Sequence, residues 1–129
     1  MKLRIAVLAL LMTLFIATVP GLAHHSDVAY ERVSIELKTA TIVKVAWINP
    51  HAVVSCDVKD ETGKVSRWTL EMGSPSAMTR VGWDRNSLSP GDEVKIDVNP
   101  AKNGTKFGRL LRVTRADGKT LDYREPLRQ

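Results

Sequence analysis

The sequence contains a single cysteine, Cys56, among its 129 residues, which excludes an intrachain disulfide. Aromatic residues make up only 5% of the chain and the formal net charge is +5. A dedicated nucleic-acid binder normally combines a strongly basic face with stacking aromatic side chains, so no nucleic-acid partner is expected. We find no repeats and no low-complexity tract. The composition is typical of one small domain without covalent cross-links.

The longest apolar run, Ile5 to Val19, is short for a transmembrane helix, which needs about 20 residues. Lys2 and Arg4 precede this run, and Gly21 and Ala23 supply small residues at positions −3 and −1 of a cleavage site after Ala23. The pattern predicts a signal peptide, a periplasmic location, and no stable membrane insertion once the signal has been removed.

Cleavage after Ala23 would leave a mature chain of 106 residues with a formal charge of +3, because Lys2 and Arg4 depart with the signal. The segment after the cleavage site is polar and unpatterned, which indicates a mobile arm or an edge segment. The expected organisation is a signal peptide at 1–23, an N-terminal arm at 24–32, a β-barrel domain at 33–124 and a C-terminal tail at 125–129.

Three alternating runs predict the first three strands: Thr39–Ile48, Ala52–Val58 and Val65–Met72. In the first run, Val43, Val45 and Trp47 are expected to share one face. Two later runs, Glu93–Asn99 and Phe107–Thr114, predict strands four and five, and a short last strand is expected near Leu121. In strand five, Phe107, Leu111 and Val113 would face the core if the strand has no bulge.

A short helix is expected between strands three and four. Ser74 is a typical N-cap, Pro75 suits the first helical position, and Gly82 ends the helix after about Val81. Three strands, a short helix and two more strands is the element order of an OB-fold. The sequence therefore predicts a mostly β fold, a small OB-fold-like five-stranded barrel, with a two-sheet sandwich as the alternative.

The three histidines are the one group of residues that suggests chemistry: His24, His25 and His51. If the cut falls after Ala23, His24 carries a free α-amine whose nitrogen can chelate one metal ion together with ring Nδ1. A terminal amine has a pKa of about 7.7–8.0, so its deprotonation for binding is easy near neutral pH. A third nitrogen from His51 would complete a T-shaped set that suits Cu(II).

Several alternatives to this copper site stay open. His25 is an alternative third ligand, zinc is the second choice of ion, and Met72 and Met78 could serve Cu(I) if they are exposed. The histidines could also be ordinary surface residues. In that case the domain would be a binding module for a non-metal small ligand or for a protein of the cell envelope. A copper-dependent enzyme is not expected, and no catalytic residue is assigned.

Other reactive side chains have structural interpretations. Cys56 alternates with apolar residues and is expected to be a buried thiol, while Ser74 and Ser76 suit a helix start. Glu71 and Asp92 lie at element ends, where acids in turns are commoner than catalytic pairs. Trp83 is expected to plug one end of the barrel.

Five motifs form a distinctive set: Ala23-His24-His25-Ser26, Trp47-Ile48-Asn49-Pro50-His51, Trp68 through Glu71-Met72-Gly73-Ser74-Pro75, Arg80-Val81-Gly82-Trp83 and Leu88-Ser89-Pro90-Gly91-Asp92. As a set, they resemble a family of small exported bacterial proteins of unknown function. The resemblance covers nearly the whole mature chain and implies a periplasmic, Gram-negative setting, without an established activity or ligand. Members usually have phenylalanine after His-His-Ser, whereas this chain has Asp27.

Overall fold

A computed structural model describes residues 29–123. The predicted signal peptide, His24 and His25 therefore lie outside the described residues, as does the predicted tail. The elements are β1 (Ile35–Ala46), β2 (Val53–Lys59), β3 (Val65–Glu71), α1 (Pro75–Arg80), β4 (Glu93–Pro100), β5 (Phe107–Arg115) and β6 (Thr120–Asp122).

The strands form a closed barrel with the predicted OB-fold-like order. β1 pairs antiparallel with both β2 and β4, β3 pairs with β2, and β5 pairs with β4. A short parallel pairing between β3 and β5 closes the barrel, with Glu71 opposite Arg109. The mostly β, five-stranded prediction is confirmed, and β6 adds a short sixth strand along β5.

The strand pairings contain three register irregularities, and two of them move side chains away from the face expected from alternation. In β1, Ile42 pairs with Cys56 and Lys44 pairs with Ser55, so Val43 is an extra residue. Ile42 is consequently buried and Val43 is not part of the core, contrary to the expected face, although Val45 and Trp47 do pack against the core. A second irregularity in β5 buries Leu110 instead of Leu111. In both strands the extra residue shifts the alternation by one position.

The helix matches its sequence signals. The Ser74 hydroxyl accepts a hydrogen bond from the Ala77 amide, Pro75 is the first helical residue, and the chain turns away at Gly82 with φ of 90°. Only glycine adopts that conformation without strain. Within residues 29–123, no helix is long and apolar enough to cross a bilayer.

Trp83 is the largest fully buried side chain, with 1% of its surface exposed. Its indole Nε1 donates a hydrogen bond of 3.1 Å to the carbonyl oxygen of Asp122 in β6. The ring joins the aliphatic core from all five barrel strands, which fits its expected role as a plug. This hydrogen bond links β6 to the segment that follows the C-terminal end of α1.

Cys56 is buried with 0% exposure, as expected for a structural thiol. Burial, and secondarily the charge of Asp57, raise the pKa of the thiol to about 11. We expect the folded protein at pH 8 to resist a thiol-specific reagent, and the unfolded protein to react at once.

The same raised pKa affects stability in the alkaline range. Because the folded state holds the proton more tightly than the unfolded state, this contribution is fully present below about pH 8.5 and is lost as the pH rises towards about 11. Thiol labelling with and without denaturant, together with urea midpoints at pH 8 and pH 10, checks both statements. Rapid labelling of the folded protein would contradict the first.

Candidate functional site

His51 lies in the loop between β1 and β2, directly after a cis peptide bond between Asn49 and Pro50. The next residue, Ala52, is held by the end of β3: its amide donates to the Gly73 carbonyl, and its carbonyl accepts from the Met72 amide, both at 2.9 Å. These two bonds fix the backbone beside His51. His51 therefore lies at the end of the barrel, next to a residue that is hydrogen-bonded on both sides of its backbone to the segment after β3.

The hydrogen bond of the His51 ring determines which nitrogen is available to a ligand. Nδ1 lies 2.9 Å from the carbonyl oxygen of Met72. Because a carbonyl oxygen can only accept, Nδ1 carries the proton and the neutral ring presents a bare lone pair on Nε2. The side chain is 49% exposed. Metal-bound histidines usually donate their second ring nitrogen to a carbonyl or a carboxylate in this way.

Glu71, the last residue of β3, connects His51 to a tyrosine. Its Oε1 atom lies 3.3 Å from Nδ1 of His51, and its Oε2 atom accepts a hydrogen bond from the hydroxyl of Tyr30. Burial, followed by that hydrogen bond to Glu71, raises the pKa of the Tyr30 hydroxyl well above its usual value. Tyr30 therefore stays protonated and acts as the donor at any ordinary pH.

Two side chains of β5 contact the Tyr30 ring. It stacks on Phe107 with 6.3 Å between ring centroids, and the guanidinium carbon of Arg109 lies 5.0 Å from its centroid. Cation–π contacts of this kind stabilise by about 0.5–1 kcal/mol at exposed positions. The aromatic ring is thus anchored independently of its hydroxyl.

Residues 29–31 are attached to the barrel as an edge segment, one of the two alternatives expected for the arm. The Ala29 carbonyl accepts from the Lys102 amide at 2.9 Å, and the Glu31 amide donates to the Pro100 carbonyl at 2.8 Å. The Asn99 side-chain amide also donates to the Glu31 carbonyl at 2.7 Å. We call residues 29–31 the arm root, because the chain towards His24 continues from here.

A cleft of about 180 Å³ opens beside His51. Its walls combine backbone at the end of β3 with one guanidinium and one phenol. The residues that line it are Pro50, His51, Met72, Gly73, Ser74, Ala77, Arg109 and Tyr123. A space of this size accommodates several water molecules or a small ligand, at about 30 Å³ for each water.

The structure describes only one of the three histidines of the predicted metal site. His51 lies within residues 29–123, and no group of three or more His, Cys, Asp or Glu side chains in that range could hold a metal ion. Met72 and Met78 are 3% and 0% exposed, so the condition set for them as Cu(I) ligands is not met.

Two members of this site were not assigned to it from the sequence. Glu71 was considered only as an acid at an element end, and Tyr30 was not singled out, although it is an isolated aromatic residue in a polar segment. The other acid considered, Asp92, accepts a hydrogen bond from the Ser89 amide at 2.8 Å and thus closes a turn. For Asp92, the structural interpretation is sufficient.

Comparisons with known proteins give one match. No curated protein and no solved structure matches the chain. A sequence model described as a family of unknown function, DUF6152, matches residues 12–110, a range that includes all three histidines, Glu71 and Trp83. Because this match covers well over half of the sequence, the chain belongs to the DUF6152 family of unknown function.

Proposed function

We propose that this protein is a copper-binding protein of the bacterial periplasm. After removal of residues 1–23, the α-amine and imidazole of His24 and the Nε2 atom of His51 would bind one Cu(II) ion. The supporting observation is that the arm root and His51 contact the same carboxylate: Tyr30 bonds one oxygen of Glu71, and His51 Nδ1 faces the other. The physiological role would be copper handling rather than catalysis.

Chain length allows the proposed ligands to meet. Tyr30 is six residues after His24, and an extended chain covers at most about 3.3–3.6 Å per residue, so the segment can reach about 20 Å from the arm root. His51 lies just beyond the carboxylate that Tyr30 contacts, well within that reach. The arm can therefore bring His24 to His51 without any rearrangement of the barrel.

The donor set favours copper over other divalent ions. Three nitrogen ligands in a plane suit the tetragonal preference of Cu(II), and Cu(II) binds nitrogen sites more tightly than zinc in the general order of stability. His25 is an alternative ligand from the same arm, and zinc is the second choice of ion. The bare Nε2 of His51 would provide the one ligand that the barrel itself holds rigid.

The test is a three-residue extension in front of His24. Three serines inserted between Ala23 and His24 move the free amine away from the His24 ring. They also place both histidines beyond mature position three, so the extension does not create a different amino-terminal copper chelate. We expect the exported wild-type protein, with its N-terminus verified by intact mass, to bind one Cu(II) ion. Since the chelate ring is lost, the insertion should weaken binding by at least about 100-fold, or 2.7 kcal/mol.

The matched control carries the same three serines after Gln129, where the amine at His24 is untouched, and it should bind copper like the wild type. Equal affinity of the N-terminal insertion and the wild type would exclude the amine as a ligand. A wild-type mass showing a mature chain that begins elsewhere would exclude the site altogether.

The alternative function is that of a binding module for a non-metal small ligand or an envelope protein. The cleft of about 180 Å³ beside His51 is the observation in its favour. Under this alternative, the N-terminal insertion would not change capture of the partner from a periplasmic extract, and copper would not compete with it.

A further inference from the structure

We infer that Glu71 is a positioning residue for His51 and not a metal ligand, and that the hydroxyl of Tyr30 holds Glu71 in that role. This inference rests on the proposed copper site. In this role, the Tyr30–Glu71 pair would link the arm root to His51, the one proposed ligand within the barrel.

One oxygen of the Glu71 carboxylate has a hydrogen-bond partner, and the other lies beside the His51 ring. Oε2 accepts the hydrogen bond from Tyr30, and Oε1 lies 3.3 Å from Nδ1 of His51, whose proton is directed to the Met72 carbonyl. The lone-pair directions of the two imidazole nitrogens diverge across the ring, so a metal ion on Nε2 would lie on the side away from Glu71. Ligation by Glu71 would require its carboxylate to move away from Tyr30 and from Nδ1 of His51.

A carboxylate in this position acts on the ring through its charge, because the Nδ1 proton is donated to the Met72 carbonyl. The Met72 carbonyl accepts the hydrogen bond and selects the tautomer, while the negative charge of Glu71 makes the ring a better donor through Nε2 and restrains its rotation. Groups in this second layer typically change metal affinity by about 10–100-fold when they are removed. Such an effect is smaller than the loss of a ligand and is therefore distinguishable from it.

The Tyr30–Glu71 hydrogen bond also links the carboxylate to the arm root, because Tyr30 is one of the three arm-root residues. Its backbone bridges to Ala101, and the flanking residues bond to Pro100 and Lys102. One hydroxyl thus restrains the carboxylate that orients His51 and the point from which the chain towards His24 leaves the barrel. Removing that hydroxyl should weaken both restraints without removing any ligand.

The decisive variant is Tyr30→Phe, studied in the exported full-length protein. It keeps the ring that stacks on Phe107 and contacts Arg109, and it deletes only the hydroxyl. We expect Cu(II) affinity to fall by about 10–100-fold, with the same number of nitrogen ligands in the electron paramagnetic resonance spectrum. Glu71→Gln, which removes the charge but keeps an acceptor for Tyr30, should have an effect of the same size.

The matched control is Asp57→Asn, which makes the same carboxylate-to-amide change at a strand residue that pairs with Arg67 instead of His51. It should bind copper like the wild type. In the metal-free protein, nitrogen-15 spectra should show the His51 ring as the Nδ1–H tautomer. Its signals should shift or broaden in Tyr30→Phe and Glu71→Gln but not in Asp57→Asn.

The copper function and the positioning role of Glu71 can be overturned independently. If the wild type binds no copper but the His51 signals respond to Tyr30→Phe, the copper function is wrong and the positioning role stands. If copper binds, and both variants leave affinity and ring signals unchanged, the positioning role is overturned and the copper function stands. If Glu71→Gln abolishes binding with a changed ligand spectrum, Glu71 is a direct ligand and the inference is wrong.

Discussion

Replacing His51 with asparagine is expected to reduce Cu(II) affinity by at least about 100-fold while leaving the barrel folded. The asparagine side chain can still donate from near the position of Nδ1 to the Met72 carbonyl, so the local hydrogen bond survives. It has no counterpart to Nε2, so the proposed copper site would lose the one ligand that the barrel contributes. Because loss of a group outside the ligand set already costs about 10–100-fold, loss of a ligand should exceed that range.

Two further variants separate ligation from folding in this experiment. His51→Ala removes both the ligand and the hydrogen bond, and since the side chain is 49% exposed its cost in stability should be about 1 kcal/mol. His51→Gln places an amide nearer to the position of Nε2 and should also fail to bind copper tightly. Affinity is measured by competition with a chelator of known strength, and stability by urea unfolding. Wild-type affinity in His51→Asn would remove His51 from the site.

Substituting Gly73 with alanine should destabilise the protein by about 2–3 kcal/mol, near the upper part of the range for overpacked positions. A Cβ at this position would lie 2.0 Å from the hydroxyl oxygen of Tyr123 and 2.5 Å from its Cζ, far inside van der Waals contact. Tyr123 is 7% exposed, so its ring cannot turn away without leaving the core. Urea or thermal unfolding measures the effect.

A double-mutant cycle with Tyr123→Ala identifies the cause of this loss. If the clash with the phenol ring is responsible, Gly73→Ala should cost little once the ring has been removed, and the coupling between the two substitutions should be about 2 kcal/mol. An undiminished cost in the Tyr123→Ala background would instead indicate strain in the Gly73 backbone. The result also bears on the site, because the Gly73 carbonyl holds Ala52, the neighbour of His51.

The element order could be predicted because local signals agree with the barrel. Alternating apolar residues predict strands, and Ser74, Pro75 and Gly82 predict the ends of the helix. The two bulges could not be predicted in the same way. A bulge depends on the partner strand, since Val43 is an extra residue only relative to the pairing of Ile42 and Lys44 with β2. This is why Ile42 and Leu110, and not Val43 and Leu111, belong to the core.

The candidate site could be predicted for His51 alone. A histidine after an Asn-Pro turn is visible in the sequence, but Glu71 is 20 residues further along the chain and Tyr30 is 41 residues before Glu71. Their contact depends on two long-range pairings, that of β2 with β3 and that of the arm root with residues 99–102. Neither pairing leaves a periodic signal near Tyr30.

The sequence by itself determined the element order, the helix boundaries and the choice of His51, because propensity, alternation and capping act over a few residues. Only the tertiary structure decided which side chains reach the core in β1 and β5, and that Tyr30, Glu71 and His51 meet. The physical reason is that closing the barrel brings residues far apart in the chain within hydrogen-bonding distance. Bulge positions and shared hydrogen bonds depend on both partners of each contact, and a local pattern contains only one.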